Sequence, residues 1–122
     1  MRLSQLYRTS DQYLAKVLDK SEFNNTPAGF EALMGISRSM RLMKEYLNNA
    51  FIAKVEDSFY EYMEGLEEES DEAIHFLDRL REDDRVKYAE LLREGEEIIS
   101  HYVIAYNHLI EKNIQAKSEE NE

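Results

Sequence analysis

Residues 84–115, DRVKYAELLREGEEIISHYVIAYNHLIEKNIQ, decide the fold. Apolar or small residues recur there at Tyr88, Leu92, Gly95, Ile99, Tyr102, Tyr106 and Leu109, in alternating steps of four and three. That is a heptad seam, and it requires an α-helix packed on another helix. Leu91, Ile98 and Ala105 flank the seam on one side, and Ala89, Val103 and Ile110 flank it on the other. A stripe this broad must be covered by at least two neighbouring helices.

Upstream, Leu3, Leu6, Tyr7, Leu14, Val17 and Leu18 share one helical face, which predicts a first helix over about Leu3 to Lys20. Ser21 to Thr26 (SEFNNT) reads as a loop, and Thr26-Pro27 as a helix start. Threonine caps, and proline at the first helical position gives up only an N–H that had no partner. An apolar stripe then continues from Phe30 through Met40, Met43, Leu47, Phe51, Phe59 and Tyr62 to Leu66. The reading is a second helix over Pro27 to Leu66, roughly 60 Å long at 1.5 Å per residue. Gly65 and Glu67-Glu68-Glu69 mark its expected end, and Ser70 the cap of a third helix with Ala73, Ile74, Phe76, Leu77 and Leu80 on its buried side. A bend is expected near Asp83, because the seam positions Arg81 and Asp84 are charged.

The fold class is therefore all-α: an antiparallel helical hairpin or bundle of three to four helices, two of them long. Residues 1–116 form one helical domain, and residues 117–122 (KSEENE) an acidic tail expected to be disordered. One proline and four glycines in 122 residues agree with long helices rather than a many-stranded sheet. A single chain of this kind leaves some of Met40, Met43, Phe51, Phe59, Tyr62, Met63, Tyr102 and Tyr106 without cover. A homodimer is expected to bury what remains, with Ile99, Tyr102 and Tyr106 as its seam.

No stretch has the apolar length of a membrane span, and the N-terminus lacks the pattern of a secretory signal. The absence of cysteine excludes disulfides, thiolate zinc sites and cysteine nucleophiles, and fits a reducing cytoplasm. The net charge of −11 is unevenly spread. Residues 1–55 carry eight Lys/Arg against five Asp/Glu, whereas residues 56–97 carry five against seventeen. Such a patch repels nucleic acid and membrane phosphates and attracts a basic protein.

One catalytic pattern fails on spacing. Glu61-x-x-Glu64 and Glu68-x-x-Asp71 have the step of the magnesium carboxylates of all-α nucleotide pyrophosphohydrolases, but only four residues separate them, too few for a helix to turn back. No Gly-rich phosphate loop and no serine with the surroundings of a nucleophile is present. The sequence thus reads as non-enzymatic, with no cofactor. The favoured function is a nucleic-acid-mimicking inhibitor, or a chaperone, of a basic, nucleic-acid-binding protein. Glu56, Asp57, Tyr60, Glu61, Glu64, Glu67, Glu68, Glu69, Asp71 and Glu72 would form its contact surface. A carboxylate–histidine metal bundle using Glu72, His75, Glu97, His101, His108 and Glu111 is one alternative, since helical steps of three or four can aim such groups at one ion. A structural homodimer within a larger assembly is the other.

Overall fold

The computed structural model describes residues 2–19, 27–53, 57–83 and 89–120, all but a few of them helical. Four helices follow one another: α1 (Leu3–Asp19), α2 (Pro27–Ile52), α3 (Ser58–Asp83) and α4 (Ala89–Glu120). No residue among those described forms a strand.

α1 begins with half of a capping box. The Arg2 amide donates to the Gln5 side chain at 3.3 Å, and the Leu6 amide donates to the Arg2 carbonyl at 3.0 Å, closing the first turn. α2 starts at Pro27 as its fixed φ favours. The expected loop 21–26, with the Thr26 cap, lies outside the described residues, as do Glu56 and the seam position Tyr88.

The chain runs up, down, up and down. α2 and α3 are antiparallel, because Gly35 meets Phe76 at one end of their contact and Tyr46 meets Gly65 at the other. α3 and α4 are antiparallel too, with Leu77 on Gly95 and Tyr60 on Asn113. Tyr13 reaches Leu91 while Lys16 reaches Glu94, and Leu3 and Leu6 share a groove with Leu109 and Lys112, which sets α1 against α4 in the same manner. α2 and α4 also touch across the middle, and α1 and α3 occupy opposite corners.

Two expected boundaries fall elsewhere. The apolar stripe from Phe30 to Leu66 does not ride on one helix. α2 ends at Ile52, the Ala53 amide still reaches the Asn49 carbonyl at 2.9 Å, and α3 starts at Ser58. A 40-residue helix would leave half of its stripe in water. Folding back lets Met40, Met43 and Leu47 share a core with Phe59, Met63 and Leu66, all buried. Full burial of each such side chain is worth about 1.5–3 kcal/mol. Asp57-Ser58, with Glu61 three residues on, is the capping signal that marks this start.

The second displaced boundary is Gly65 to Ser70. α3 runs straight through it, and Ser70 is buried in mid-helix rather than capping one. Gly65 is there for contact. A Cβ on it would stand 2.9 Å from the Tyr46 ring, and one on Gly35 would stand 2.5 Å from Phe76. α3 ends at Asp83 and α4 begins at Ala89; the bend expected near Asp83, with the seam position Asp84, lies outside the described residues. α4 also continues through Lys117 to Glu120, where the sequence suggested a disordered tail. Lys117 is held there: its ammonium sits 4.4 Å from the Tyr60 ring centroid and donates to the Tyr60 hydroxyl at 3.0 Å.

The α4 seam is filled from within the chain. Leu92, Ile99, Tyr102 and Leu109 are buried, and Tyr106 is half-buried against the core. Ile99 and Tyr102 are therefore covered by α4's own neighbours and are not a free dimer seam. Of the eight apolar residues expected to lack cover, only Phe51 is exposed.

Gly95 provides the test of this packing. An alanine Cβ there would lie 2.8 Å from the Tyr13 hydroxyl and 3.1 Å from Leu77, both residues being buried. The helix-propensity gain of ~1 kcal/mol is outweighed by overpacking of ~1–3 kcal/mol and by disturbing the Tyr13–Leu91 hydrogen bond, worth ~1 kcal/mol. Gly95→Ala is expected to lower the urea midpoint by the equivalent of about 1–3 kcal/mol. A midpoint that rises would show that Tyr13 moves aside freely.

Candidate functional site

α3 carries the charge. Its 26 residues include ten acids and two bases, whereas α2, of the same length, has two acids and three bases. The buried side of α3 is fixed by Phe59, Met63, Leu66, Ala73, Leu77 and Leu80, so the acids from Glu61 to Glu72 are turned outward. Asp57, Tyr60, Glu61, Glu64, Glu67, Glu68, Asp71 and Glu72 are exposed, and Glu69 is half-exposed. Steps of three, four and three place Glu61, Glu64, Glu68 and Asp71 in one row, about 15 Å long at 1.5 Å per residue.

The row has two different margins. Toward α2, a groove holds Arg38 and Ser39 opposite Glu68, Glu69, Asp71 and Glu72. Among the described residues, none of Glu61, Glu64, Glu68, Glu69, Asp71 and Glu72 forms an ion pair. Arg79 of α3 makes a long, exposed contact with Glu31 at 3.9 Å, worth about 0–1 kcal/mol. Toward α4, Tyr106 donates to Glu67 at 3.4 Å, and Tyr60 donates to Asn113 at 3.0 Å. Tyr60 is thereby pinned with its ring half in water, as a contact residue next to the acids needs.

The carboxylates and imidazoles of the alternative metal reading are not brought together. Glu72 and His75 lie on α3, Glu97 lines a cleft with Lys16 and Tyr13 of α1, and His101 and His108 border an apolar groove beside α1. Glu111 lies exposed on α4. Among the described residues, no three His, Asp or Glu side chains are placed to share an ion.

Two features escaped the sequence reading. The first is that apolar groove, about 460 Å³, between the end of α1 and the last turns of α4, with Phe51 of α2 at its edge. Its trace in the sequence is Ile104, which stands off the seam of residues 84–115 and its two flanking rows. The second is a buried hydroxyl cluster where α1 meets α4. The Tyr7, Ser10 and Tyr102 hydroxyls have no hydrogen-bond partner among the described residues. Nearby, Lys44 bridges to α1, donating to Asp11 at 2.8 Å with its ammonium 5.7 Å from the Tyr7 ring centroid.

Burial raises the pKa of Tyr7 and Tyr13, with Glu94 adding to the effect on Tyr13. Tyr102 is pushed up to about 12 by burial, with the adjacent Ser10 hydroxyl acting the other way. Tyr106 is raised by burial and then by Glu67. The Lys16 ammonium is held above its usual value by its hydrogen bond to Glu94, 2.8 Å away.

No protein-family model matches the chain, no curated protein matches it, and no solved structure matches it.

The tyrosines set a pH dependence. A phenol with a raised folded-state pKa contributes stability that is intact below its ordinary value of 10.0 and is lost as pH climbs through the folded value. The urea midpoint is expected to stay level up to about pH 10 and to fall between there and about pH 12. Tyr102→Phe removes one of these groups and an unpartnered buried hydroxyl, which costs ~1–3 kcal/mol. The variant should be at least as stable at pH 7 and decline less steeply above pH 10. An equally steep decline would exclude Tyr102 from the linkage.

Proposed function

We propose that this chain is a non-enzymatic binding protein whose outer α3 face docks a basic protein and occupies that partner's nucleic-acid site. The observation that carries the reading is the unpaired row Glu61, Glu64, Glu68 and Asp71 on a rigid helix packed along its whole inner side. Its charges recur every 4.5–6 Å along the axis, by ~1.5 Å per residue. That is of the same order as the phosphates of one DNA strand, spaced by about 3.4 Å.

The chemistry follows from the charge. A row of carboxylates in which, among the described residues, none forms an ion pair raises the local concentration of a basic surface and speeds encounter with it. It also repels nucleic acid itself, so the expected partner is the protein that handles nucleic acid. Tyr60, held by Asn113 and Lys117 at the end of the row, offers a pre-positioned aromatic anchor that costs little entropy to bury. An inhibitor and a chaperone of such a partner use the same contact. They differ in whether the partner is active when released.

The test is a comparative capture from host lysate at low salt. Wild-type protein and the Glu61→Gln/Glu64→Gln/Glu68→Gln/Asp71→Asn variant are immobilised in parallel, and bound proteins are eluted with rising salt. All four positions are exposed, so the variant should fold normally. The wild type is expected to retain a basic nucleic-acid-binding protein that elutes as salt screens the contact and that the variant does not hold. Equal retention by both, or retention indifferent to salt, would overturn the electrostatic reading.

A further inference from the structure

We propose that the groove between the ends of α1 and α4 is a binding site for one long-chain carboxylate, an anionic amphiphile of the fatty-acid class. The site opens between α1 and α4, shares with the α3 face Asn113, which holds Tyr60, and does not depend on the function assigned to that face. α1 and α3 sit at opposite corners of the bundle.

Shape and lining point to an elongated apolar ligand. The groove measures about 460 Å³, inside the range of about 300–1,000 Å³ typical of small-molecule sites. One wall is Leu3 and Leu6 of α1, the floor includes Ala105 and Leu109 of α4, and Phe51 stands at the rim. Ile104, on the same rim, is 63% exposed although no feature of the bundle needs an isoleucine there. An exposed apolar rim around a partly lined groove marks a surface meant to be covered.

Charge selects the occupant. The chain carries a net −11, yet among the described residues no carboxylate lines this groove. The polar groups that do line it are His101, His108, Lys112 and Asn113. Lys112 has no ion pair among the described residues. It therefore offers an uncompensated ammonium at the edge of an apolar trough, which is the complement of a single carboxylate on an alkyl chain. Two other occupants fit less well. A second copy docked groove to groove would oppose one Lys112 to another, a like-charge contact. An anionic bilayer would meet the acidic bulk of the molecule and be repelled.

The experiment titrates the folded protein, by calorimetry, with laurate below its micelle concentration, with dodecanol, and with dodecyltrimethylammonium. Laurate is expected to bind with one-to-one stoichiometry, more tightly than dodecanol, while the cation binds weakest. Lys112→Glu should weaken laurate by about tenfold and leave dodecanol unchanged. Ile104→Asp, an exposed change, should weaken laurate and dodecanol alike while leaving the circular dichroism spectrum and urea midpoint as in the wild type. Absence of laurate binding by the folded wild type would overturn the proposal, as would unaltered laurate affinity in Lys112→Glu. Binding confined to phosphatidylglycerol vesicles would reassign the groove to a membrane surface and overturn it too. So would a wild-type dimer that Ile104→Asp converts to monomer without any laurate binding.

Discussion

The rings of Phe76 and Tyr46 lie where a side chain at Gly35 or Gly65 would have to stand. This pair of close approaches is the constraint on which the rest of the bundle depends. It joins α2 and α3 at two widely separated points and so sets both their register and their antiparallel sense. With that register fixed, the methionine-rich side of α2 faces Phe59, Met63 and Leu66, and the acids of α3 are left on the outside. The electrostatic face of the molecule follows from where two glycines allow two rings to sit.

α4 then closes the structure. Its inner side is wide enough to meet α3 through Leu77 and Gly95 and α1 through Tyr13 and Leu91, while also touching α2 across the diagonal. Polar bonds here act as registers more than as sources of stability. The buried Tyr13 hydroxyl on the Leu91 carbonyl fixes where α1 lies along α4, and Tyr60 on Asn113 fixes α3 at the other end. Exposed pairs such as Lys44–Asp11 contribute little beyond that. The Tyr7, Ser10 and Tyr102 hydroxyls are a cost borne inside this interface.

The two surfaces left by this packing differ in kind. One is a straight file of carboxylates on α3, whose chemistry is long-range and sensitive to salt. The other is an apolar trough between α1 and α4 edged by the Lys112 ammonium, which has no ion pair among the described residues, and its chemistry is short-range and depends on shape. They open on different helices and meet at Asn113, which lines the trough and holds Tyr60. The exposed acids of the candidate face were legible in the sequence, because acids at helical spacing opposite an apolar stripe must face water. The groove was not legible, because Leu3, Phe51 and Ile104 are far apart in sequence and meet only once three helices are assembled.

The sequence by itself determined the all-helical class, the extent of α1, the start of α2 at Pro27 and the concentration of acid in one region. Each of these is set by short-range physics: the 3.6-residue repeat, the fixed φ of proline, and the side of a helix on which a residue falls. Only the tertiary structure decided that α2 ends near Ala53, that α3 passes through Gly65 and Ser70, and that Ile99 and Tyr102 are covered within one chain. Local propensity reads glycine before three glutamates as a helix end, because glycine weakens a helix by ~1 kcal/mol. The ring of Tyr46 reverses that reading by requiring the missing Cβ. A contact between residues nineteen positions apart carries more weight there than the residues beside it, and no window along the chain contains that information.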